Sequence, residues 1–375
     1  MFGEAVVNAL SNIAAPMVNQ SDLPFRLLVR RYKTSLVYTQ MLLPEKILND
    51  RDYLDFHLRG LGEPEDQPVV VQLCGNDPEM VMQAARKLQT RCDAIDLNLG
   101  CPQEAARDAH YGAYLLGQKD WPLIEGIVST MSNSLTVPVS AKLRLCQPAS
   151  ATMHLAQRLE HAGASWIALH ARTYLRGGAD REALSVPVVS NGNVRTWEDV
   201  EKNRAYTGAD GVMVGETLLG NPCLFANTIP DPVSISREYI DICREHPGTA
   251  TMQTIQTHVR HFIDHQCGRR PWFNKFRAAL ARCQTPDDIE DLLKKVQKWR
   301  GRSVSSESPT DTEKDDEMGR KLLPKRSSSL CRHCSSDMAE ATPTLALKCT
   351  DYHLSESGPT SSHVELRVPY GVFQA

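Results

Sequence analysis

Eight short β-rich segments alternate with helix-like stretches between residues 12 and 216, and this alternation constrains the fold more than any other feature. Each segment is rich in β-branched and other apolar residues and ends at a turn. Parallel strands need a crossover between them, so the pattern predicts a parallel β/α architecture. The segments are Asn12–Val18, Ser35–Met41, Pro68–Gly75, Ala94–Gly100, Val137–Leu145, Ser165–Arg172, Val186–Gly192 and Ala209–Glu216.

The stretches between these segments carry ordinary signals for the start of a helix. Ser21 or Asp22 can cap a helix that contains Pro24 in its first turn, and Asp77 precedes Pro78 in the same way. Eight such units predict a (β/α)8 TIM barrel, in which the carboxyl ends of all strands meet at one mouth. An open doubly wound sheet is the alternative, but no Gly-x-Gly-x-x-Gly turn follows the first strand. Helices are expected at Leu23–Tyr32, Pro78–Gln89, Trp121–Ser132, Thr152–Ala162 and Thr196–Asn203.

Changes in composition divide the chain into three parts. The chain has 375 residues, of which 41% are hydrophobic, and this is enough for a large core and more than one domain. The pattern is purely helical after residue 232, and Ser, Thr, Pro and charged residues dominate after residue 300. We therefore expect a barrel over residues 1–232, a small helical domain over residues 233–300 and a disordered tail over residues 301–375.

Charge is unevenly distributed, although the whole chain has a net charge of only −3. Residues 1–232 carry a net charge of −5, whereas residues 233–300 carry +4. A basic helical segment fits a polyanionic ligand that contacts one module, and it fits a solvated helical surface equally well. Eleven cysteines without a disulfide framework predict reduced thiols, and no signal peptide or transmembrane stretch is recognisable. A cytoplasmic or nuclear location without a membrane partner is expected.

The ends of the predicted strands carry side chains that can do chemistry. Cys101 lies at the tip of a turn after an apolar strand, within Asp96-Leu97-Asn98-Leu99-Gly100-Cys101-Pro102. Polar residues within apolar strands need partners, which makes Gln72, Lys142 and His170 candidate site residues. A buried structural cysteine, a snorkelling lysine and a structural histidine are the alternative interpretations. The last two strands of barrels often bind phosphate, and Gly192 and Gly215 allow close backbone approach there.

The cysteine motif, followed by His110-Tyr111-Gly112-Ala113, resembles the active-site loop of the tRNA-dihydrouridine synthases. It is most similar to the eukaryotic branch that acts on positions 16 and 17 of the tRNA D-loop. The resemblance covers about Asn12–Arg300 and implies an FMN-dependent oxidoreductase that reduces uridine to 5,6-dihydrouridine, with NADPH or NADH as electron donor. Cys101 would then protonate C5 of the uracil. The motifs that would hold FMN match Pro16, Met17, Val18, Gln72, Lys142, His170, Asn191, Gly192, Asn193, Gly215 and Glu216.

The same resemblance implies a tRNA partner for a monomeric protein. Many relatives have arginine at the position of Glu216, and a carboxylate cannot pair with phosphate, so only the backbone of Gly215 and Glu216 would contact it. No metal site is expected, since Cys331 and Cys334 form only a single Cys-x-x-Cys pair. The side chains expected to contact tRNA are Asn98, Arg144, Arg172, Arg269, Arg270, Lys275 and Arg277.

One connection, between His170 and Asn191, departs from the barrel pattern. Thr173–Ser185 contains Gly177 and Gly178, whereas relatives carry a longer loop and helix there. We therefore expect a rudimentary sixth helix, which would reduce stability and full activity. Two other functions stay open: a non-catalytic RNA-binding or scaffold protein, and an FMN barrel that reduces a small molecule.

Overall fold

Eight parallel strands close into one barrel in a computed structural model of the chain, which describes residues 2–170 and 184–301. The strands pair in chain order, and the last pairs with the first to complete the ring. Each predicted β-rich segment contains one strand, so the predicted TIM barrel is confirmed. The strands are β1 (Asn12–Ala14), β2 (Leu36–Leu42), β3 (Val69–Leu73), β4 (Ala94–Leu99), β5 (Val139–Arg144), β6 (Ile167–His170), β7 (Val188–Asn191) and β8 (Gly211–Val214).

Helices surround the barrel and continue beyond its last strand. They are α1 (Phe2–Asn8), α2 (Leu23–Arg31), α3 (Pro44–Asn49), α4 (Arg51–Arg59), α5 (Pro78–Leu88), α6 (Glu104–Asp108), α7 (Trp121–Ser134), α8 (Ala151–His161), α9 (Trp197–Thr207), α10 (Glu216–Gly220), α11 (Pro232–Glu245), α12 (Met252–Cys267), α13 (Phe273–Leu280) and α14 (Pro286–Gly301). Asp22, not Ser21, caps α2 by accepting a hydrogen bond of 3.1 Å from the amide of Phe25. Asp77 caps α5 in the same way. Beyond the expected helices, the pair α3 and α4 follows β2, and α6 follows β4.

The floor of the barrel is filled by large side chains. Tyr38 and Trp166 are fully buried inside the ring, and the indole Nε1 donates a hydrogen bond of 3.0 Å to the phenol oxygen. Val6 and Leu10, from α1 and the turn after it, belong to the same apolar cluster and close this end. The inward-facing polar side chains of β3, β4 and β5 lie towards the carboxyl ends of these strands.

The helices that follow the barrel share its outer core. Val233 on α11 and Phe262 on α12 belong to the same apolar cluster as α2. Asp22 accepts hydrogen bonds from the Tyr239 hydroxyl at 3.0 Å and from Nε2 of His258 at 2.7 Å. The imidazole of His258 stacks on Phe25, with ring centroids 4.5 Å apart. The described residues thus form one compact unit, and the predicted division after residue 232 stays a prediction.

Several predictions concern residues outside the described parts of the chain. These are Arg172, most of the β6–β7 connection, and the tail with Cys331 and Cys334. The β7–β8 connection, residues 192–210, holds an 11-residue helix. The predicted rudimentary helix between β6 and β7 falls outside the described residues and stays a prediction. Within the described residues, no helix has the length and apolar character needed to cross a membrane.

Candidate active site

Alternation of side chains along the strands determines which residues face the inside of the barrel. On β4, the side chains of Ile95, Leu97 and Leu99 pack in the outer core, so those of Asp96 and Asn98 face inward. The same alternation holds on the neighbouring strands. Sequence alternation and chain order therefore bring the inward polar residues together above the filled floor.

The parallel register arranges these polar residues in three rows. Gln72, Asp96 and Ser140 are paired across β3, β4 and β5 and form the inner row. Asn98 pairs with Lys142 one step nearer the mouth. The outer row, across β5, β6 and β7, consists of Arg144, His170 and Asn191.

A chain of hydrogen bonds connects the inner row to the cysteine. The Ser140 hydroxyl donates to Oδ1 of Asp96 at 2.6 Å, and Nε2 of Gln72 donates to Oδ2 at 2.8 Å. Nδ2 of Asn98 then donates to Oε1 of Gln72 at 2.8 Å. Oδ1 of Asn98 accepts from the backbone amide of Cys101 at 2.9 Å. We call this series of hydrogen bonds the polar chain. It fixes the backbone of Cys101, two residues beyond β4, relative to β3, β4 and β5.

The loop that carries Cys101 is also held from its other side. The Cys101 carbonyl accepts a hydrogen bond of 3.0 Å from the amide of Ala113. Gly112 has φ 65°, and a Cβ there would lie 2.8 Å from the Cys101 oxygen, so this close contact requires glycine. Nε of Arg144 donates to the Gly100 carbonyl at 2.6 Å. The sequence motif around residue 112 therefore has a structural reason.

The chemistry of the Cys101 thiol follows from its surroundings. Cys101 is half-buried, and burial raises the pKa of its thiol, so the sulfur carries its proton at neutral pH. Lys142 and Arg144 favour the thiolate electrostatically. The thiol can therefore donate a proton, and two nearby cations stabilise the anion that remains.

Lys142 is half-buried on β5, and its charge has no ion-pair partner among the described residues. In the described part of the chain, its Nζ forms no hydrogen bond and no ion pair within 4 Å. Burial lowers the pKa of Lys142 to about 8, and the carboxylate of Asp96 opposes this shift. Burial also raises the pKa of Asp96 to about 6. Both groups are mainly charged at pH 7, and the lysine cation is available to a ligand.

The ends of β1, β7 and β8 supply the remaining predicted cofactor contacts. Pro16 and Met17 are half-buried after β1, whereas Val18 is 40% exposed, which is unusual for an apolar side chain in the described residues. Asn191 donates from Nδ2 to the Met213 carbonyl at 2.8 Å, which joins β7 to β8.

The turn after β7 has backbone features expected of a phosphate-binding loop, and the turn after β8 lies beside the end of β1. Gly192 and Asn193 both have positive φ, at 118° and 55°. A Cβ at Gly215 would lie 3.6 Å from Sδ of Met17, so the ends of β1 and β8 are adjacent. Glu216 is exposed and begins α10.

The predicted tRNA contacts fall into two groups. Asn98 and Arg144 lie among the strand ends with the candidate cofactor residues. The second group lies after α12 and on α13, is exposed and forms no ion pair in the described part of the chain. Lys275 in this group lies over the ring of Trp299, 5.9 Å from its centroid. The group consists of Arg269, Arg270, Lys275 and Arg277.

Sequence reasoning missed the inner members of the polar chain. Asp96 and Ser140 each lie two residues before a predicted site residue, Asn98 and Lys142, and so share its face of the strand. That spacing was the available signal, because a polar residue in phase with another polar residue on a barrel strand faces the same interior.

Comparisons with known proteins identify the family of this chain. Residues 13–300 match the family model described as dihydrouridine synthase (Dus). A tRNA-dihydrouridine(16/17) synthase-like protein of Mus musculus is 40% identical over 258 residues, which cover 66% of this chain and 54% of that protein. The tRNA-dihydrouridine(16/17) synthase of Schizosaccharomyces pombe is 31% identical over 341 residues, which cover 83% of this chain and 85% of that protein. Both names include NAD(P)(+).

The extent of these matches differs between relatives. The chain spans about half the length of the mouse relative, at 54%. Among solved structures, a morphinone reductase mutant in complex with tetrahydroNAD has a TM-score of 0.45 and 15% identity, covering 60% of this chain and 90% of that chain. Because the family model spans residues 13–300, the chain belongs to the dihydrouridine synthase family.

Proposed function

We propose that this protein reduces uridine to 5,6-dihydrouridine in tRNA, at positions 16 and 17 of the D-loop. FMN is the proposed cofactor, and NADPH or NADH the electron donor. The observation that carries the proposal is the position of Cys101, a protonated thiol just beyond β4, near the amine of Lys142, which has no ion-pair partner among the described residues. The names of the mouse and fission-yeast relatives support the same reaction and the same tRNA positions.

The residues at the mouth fit a flavin. Val18 offers an exposed apolar surface to a flat ring, and Lys142 offers a cation that has no partner in the described part of the chain. Gln72 keeps one N–H that the polar chain does not use, because its Nε2 donates to Asp96 through the other. Gly192 and Gly215, on neighbouring turns, would accommodate the phosphate through backbone N–H groups.

The protein's own groups would complete the reduction by handling the proton. The uracil C6 would accept hydride from bound, reduced FMN, and this is the chemistry that the cofactor supplies. Negative charge then develops on C5 and O4 of the uracil, and Cys101 donates its Sγ proton to C5. Lys142 and Arg144 stabilise the resulting thiolate until water returns its proton.

A basic surface on the helical part supports binding of a polyanion. Arg269, Arg270, Lys275 and Arg277 are exposed and have no carboxylate partner among the described residues. Arg244 is neutralised by contrast, because it pairs with acidic residues on α11 and α14. Unpaired cations release counterions when they contact phosphates, which favours a tRNA partner.

Two measurements on the full chain test the proposal and its rivals. The purified protein should show flavin absorbance and release FMN on denaturation. With NADPH and unmodified tRNA it should form dihydrouridine, which mass spectrometry of mapped tRNA fragments would locate at positions 16 and 17. A folded protein that stays colourless with added FMN would instead be a scaffold. A flavin protein that reduces small unsaturated carbonyl compounds but leaves tRNA unchanged would be a small-molecule reductase.

A further inference from the structure

Asp96 has no part in the proton transfer described above, yet its carboxylate is fully buried in the inner row of the barrel. Burying a carboxylate costs stability unless nearby groups compensate the charge. Two hydrogen bonds reach it, from Ser140 and Gln72, and no cation lies within ion-pair distance among the described residues. The position of this charge in the site therefore calls for an explanation.

The carboxylate determines how the neighbouring amide is oriented. An ionised carboxylate can only accept hydrogen bonds, so Gln72 must turn its Nε2 towards Asp96 and its Oε1 towards Asn98. At the other end of the polar chain, the backbone N–H of Cys101 requires the oxygen of Asn98. Both amides then have a single consistent orientation, and each keeps one N–H free for a ligand.

Lys142 lies on the adjacent strand β5, two residues nearer the mouth than Ser140, which is paired with Asp96 and donates to its carboxylate. The carboxylate therefore also acts on the Lys142 amine. Burial and Arg144 both favour the neutral amine, whereas Asp96 and the Cys101 sulfur favour the ammonium. Tyr38 on β2 is the other titratable group that faces Asp96, and its phenol stays protonated because burial raises its pKa. On β6, His170 is in register with Arg144. Among these groups, Asp96 has the largest influence that opposes deprotonation of the lysine.

We propose that Asp96 is a positioning residue of this site, which sets the orientation of the Gln72 amide and keeps the Lys142 amine protonated. The inference rests on the proposed function for the identity of the ligand. The effect on Lys142 is a property of the chain itself and can be measured without cofactor or tRNA, whereas the orientation of the Gln72 amide is measured with FMN as the probe.

The substitution Asp96→Asn separates charge from hydrogen bonding. Asparagine can offer Oδ1 to Gln72 and Nδ2 to the Ser140 hydroxyl, which is able to accept, so the amide orientation survives while the charge is lost. Ser140→Ala is the matched control, because it removes one hydrogen bond to the same carboxylate and keeps the charge.

The first measurement follows the titration of Lys142 in the full chain without flavin. Mass spectrometry would quantify trinitrophenylation of Lys142 as a function of pH. In Asp96→Asn the midpoint should fall by roughly one pH unit or more, the size of effect that a nearby opposite charge exerts. Ser140→Ala should keep the midpoint of the unsubstituted protein. An unchanged midpoint in a folded Asp96→Asn protein would overturn the inference.

The second measurement concerns amide orientation and uses FMN as the probe. In the double variant Asp96→Asn/Ser140→Ala, the asparagine loses the acceptor for its N–H and no longer has a defined orientation towards Gln72. FMN affinity, followed by quenching of flavin fluorescence, should weaken about tenfold or more relative to Asp96→Asn alone, as for one unsatisfied buried donor. Equal affinities of the double and single variants would overturn the orientation role.

These results are separable from a failure of the proposed function. If the unsubstituted protein binds no FMN and forms no dihydrouridine, the function is wrong, while the lysine titration still tests Asp96. If the unsubstituted protein is active and the titration midpoint of Lys142 is the same in Asp96→Asn, the function stands and the positioning role is wrong.

Discussion

Burial raises the pKa of the Cys101 thiol, so the sulfur keeps its proton at neutral pH. Arg144 and Lys142 lie near enough to stabilise the thiolate that forms when the proton is donated. A group with these properties at the mouth of the barrel can act as a general acid. Cys74 provides the contrast, since it is buried in the same small apolar cluster and burial raises its pKa to about 12. The two cysteines allow the role of the thiol to be tested within one cluster.

Replacement of Cys101 by alanine should abolish most dihydrouridine formation while FMN binding and its reduction by NADPH persist. The expected loss is about 10²–10⁴-fold, the usual contribution of a general acid. Cys74→Ala is the control, because it removes a buried thiol from the same cluster without touching the proton donor. Single-turnover reduction of unmodified tRNA would measure both variants. Near-normal turnover by Cys101→Ala would contradict the assignment.

The buried charge of Lys142 should lower the free energy of unfolding of the protein without cofactor. Burial lowers its pKa from 10.5 to about 8, so the folded state binds fewer protons than the unfolded state between these values. Stability associated with Lys142 therefore rises as pH increases from 8 to 10.5, and the cost of the charge is fully present below pH 8.

We expect Lys142→Met to stabilise the flavin-free protein at pH 7 by about 1–2 kcal/mol, because it removes a buried charge. The gain is partly offset because the Asp96 carboxylate loses a nearby cation. The gain should vanish above pH 10.5, where the lysine is neutral in both states. Urea unfolding at both pH values checks this, and FMN affinity should fall in the same variant. A variant that is less stable than the parent at pH 7 would show that Lys142 has a partner of its own.

At the scale of elements, α2 is connected to the later helices through Asp22. Its carboxylate caps α2 and also accepts hydrogen bonds from Tyr239 on α11 and His258 on α12. Burial disfavours the charge, but His258 and the hydrogen bonds hold the pKa of Asp22 below its usual value. Sequence signals identified the cap, whereas its two distant partners follow α2 by more than two hundred residues and only the folded chain brings them together.

Asp22→Ala should therefore destabilise the protein far more than loss of an ordinary cap. We expect about 3–5 kcal/mol, because a buried charged network is broken. Asp77→Ala, at an exposed cap of α5, should cost only about 1 kcal/mol. Chemical unfolding of both variants provides the measurement. The Asp22 contribution should be complete above pH 3.8 and decline as pH falls through its lower folded pKa. Equal losses for both variants would show that α11 and α12 do not depend on Asp22.

At the scale of the whole molecule, the sequence predicts the barrel and most of its mouth for a clear physical reason. Alternation assigns a face to Gln72, Lys142 and His170, and chain order places the strand ends side by side. The direction of hydrogen bonds between them is not readable from sequence, because Asn98 could present either end of its amide until its partners are known. The sequence also does not reveal which surface cations have carboxylate partners, because such partners can come from a distant part of the chain. Arg244, for example, pairs with Asp287 from a later helix.

The unpaired cations of the helical part should dominate the salt dependence of tRNA binding. Neutralising Arg269, Arg270, Lys275 and Arg277 together should weaken binding and reduce the slope of log affinity against log salt, by roughly 0.7–0.9 for each phosphate that the protein no longer neutralises. FMN affinity should stay the same. Filter binding at several salt concentrations would measure the slope.

A matched variant neutralises four cations that already have carboxylate partners. These are Arg31, Arg51, Arg244 and Lys294. This variant should keep most of the salt slope, because ion-paired cations contribute little to counterion release. If both variants lose the same amount, overall charge rather than the helical surface governs binding.

The packed floor of the barrel has a consequence for the order of events during turnover. Tyr38 and Trp166 fill the interior of the barrel, and α1 covers the end opposite the mouth. The nicotinamide donor and the tRNA would therefore both enter through the mouth. In the proposed reaction, the nicotinamide donor and the uridine could not occupy the reactive position together and would bind in turn. Initial rates measured against both reactants should give parallel double-reciprocal lines, the signature of a ping-pong sequence, whereas intersecting lines would mean that the mouth is wide enough to hold both at once.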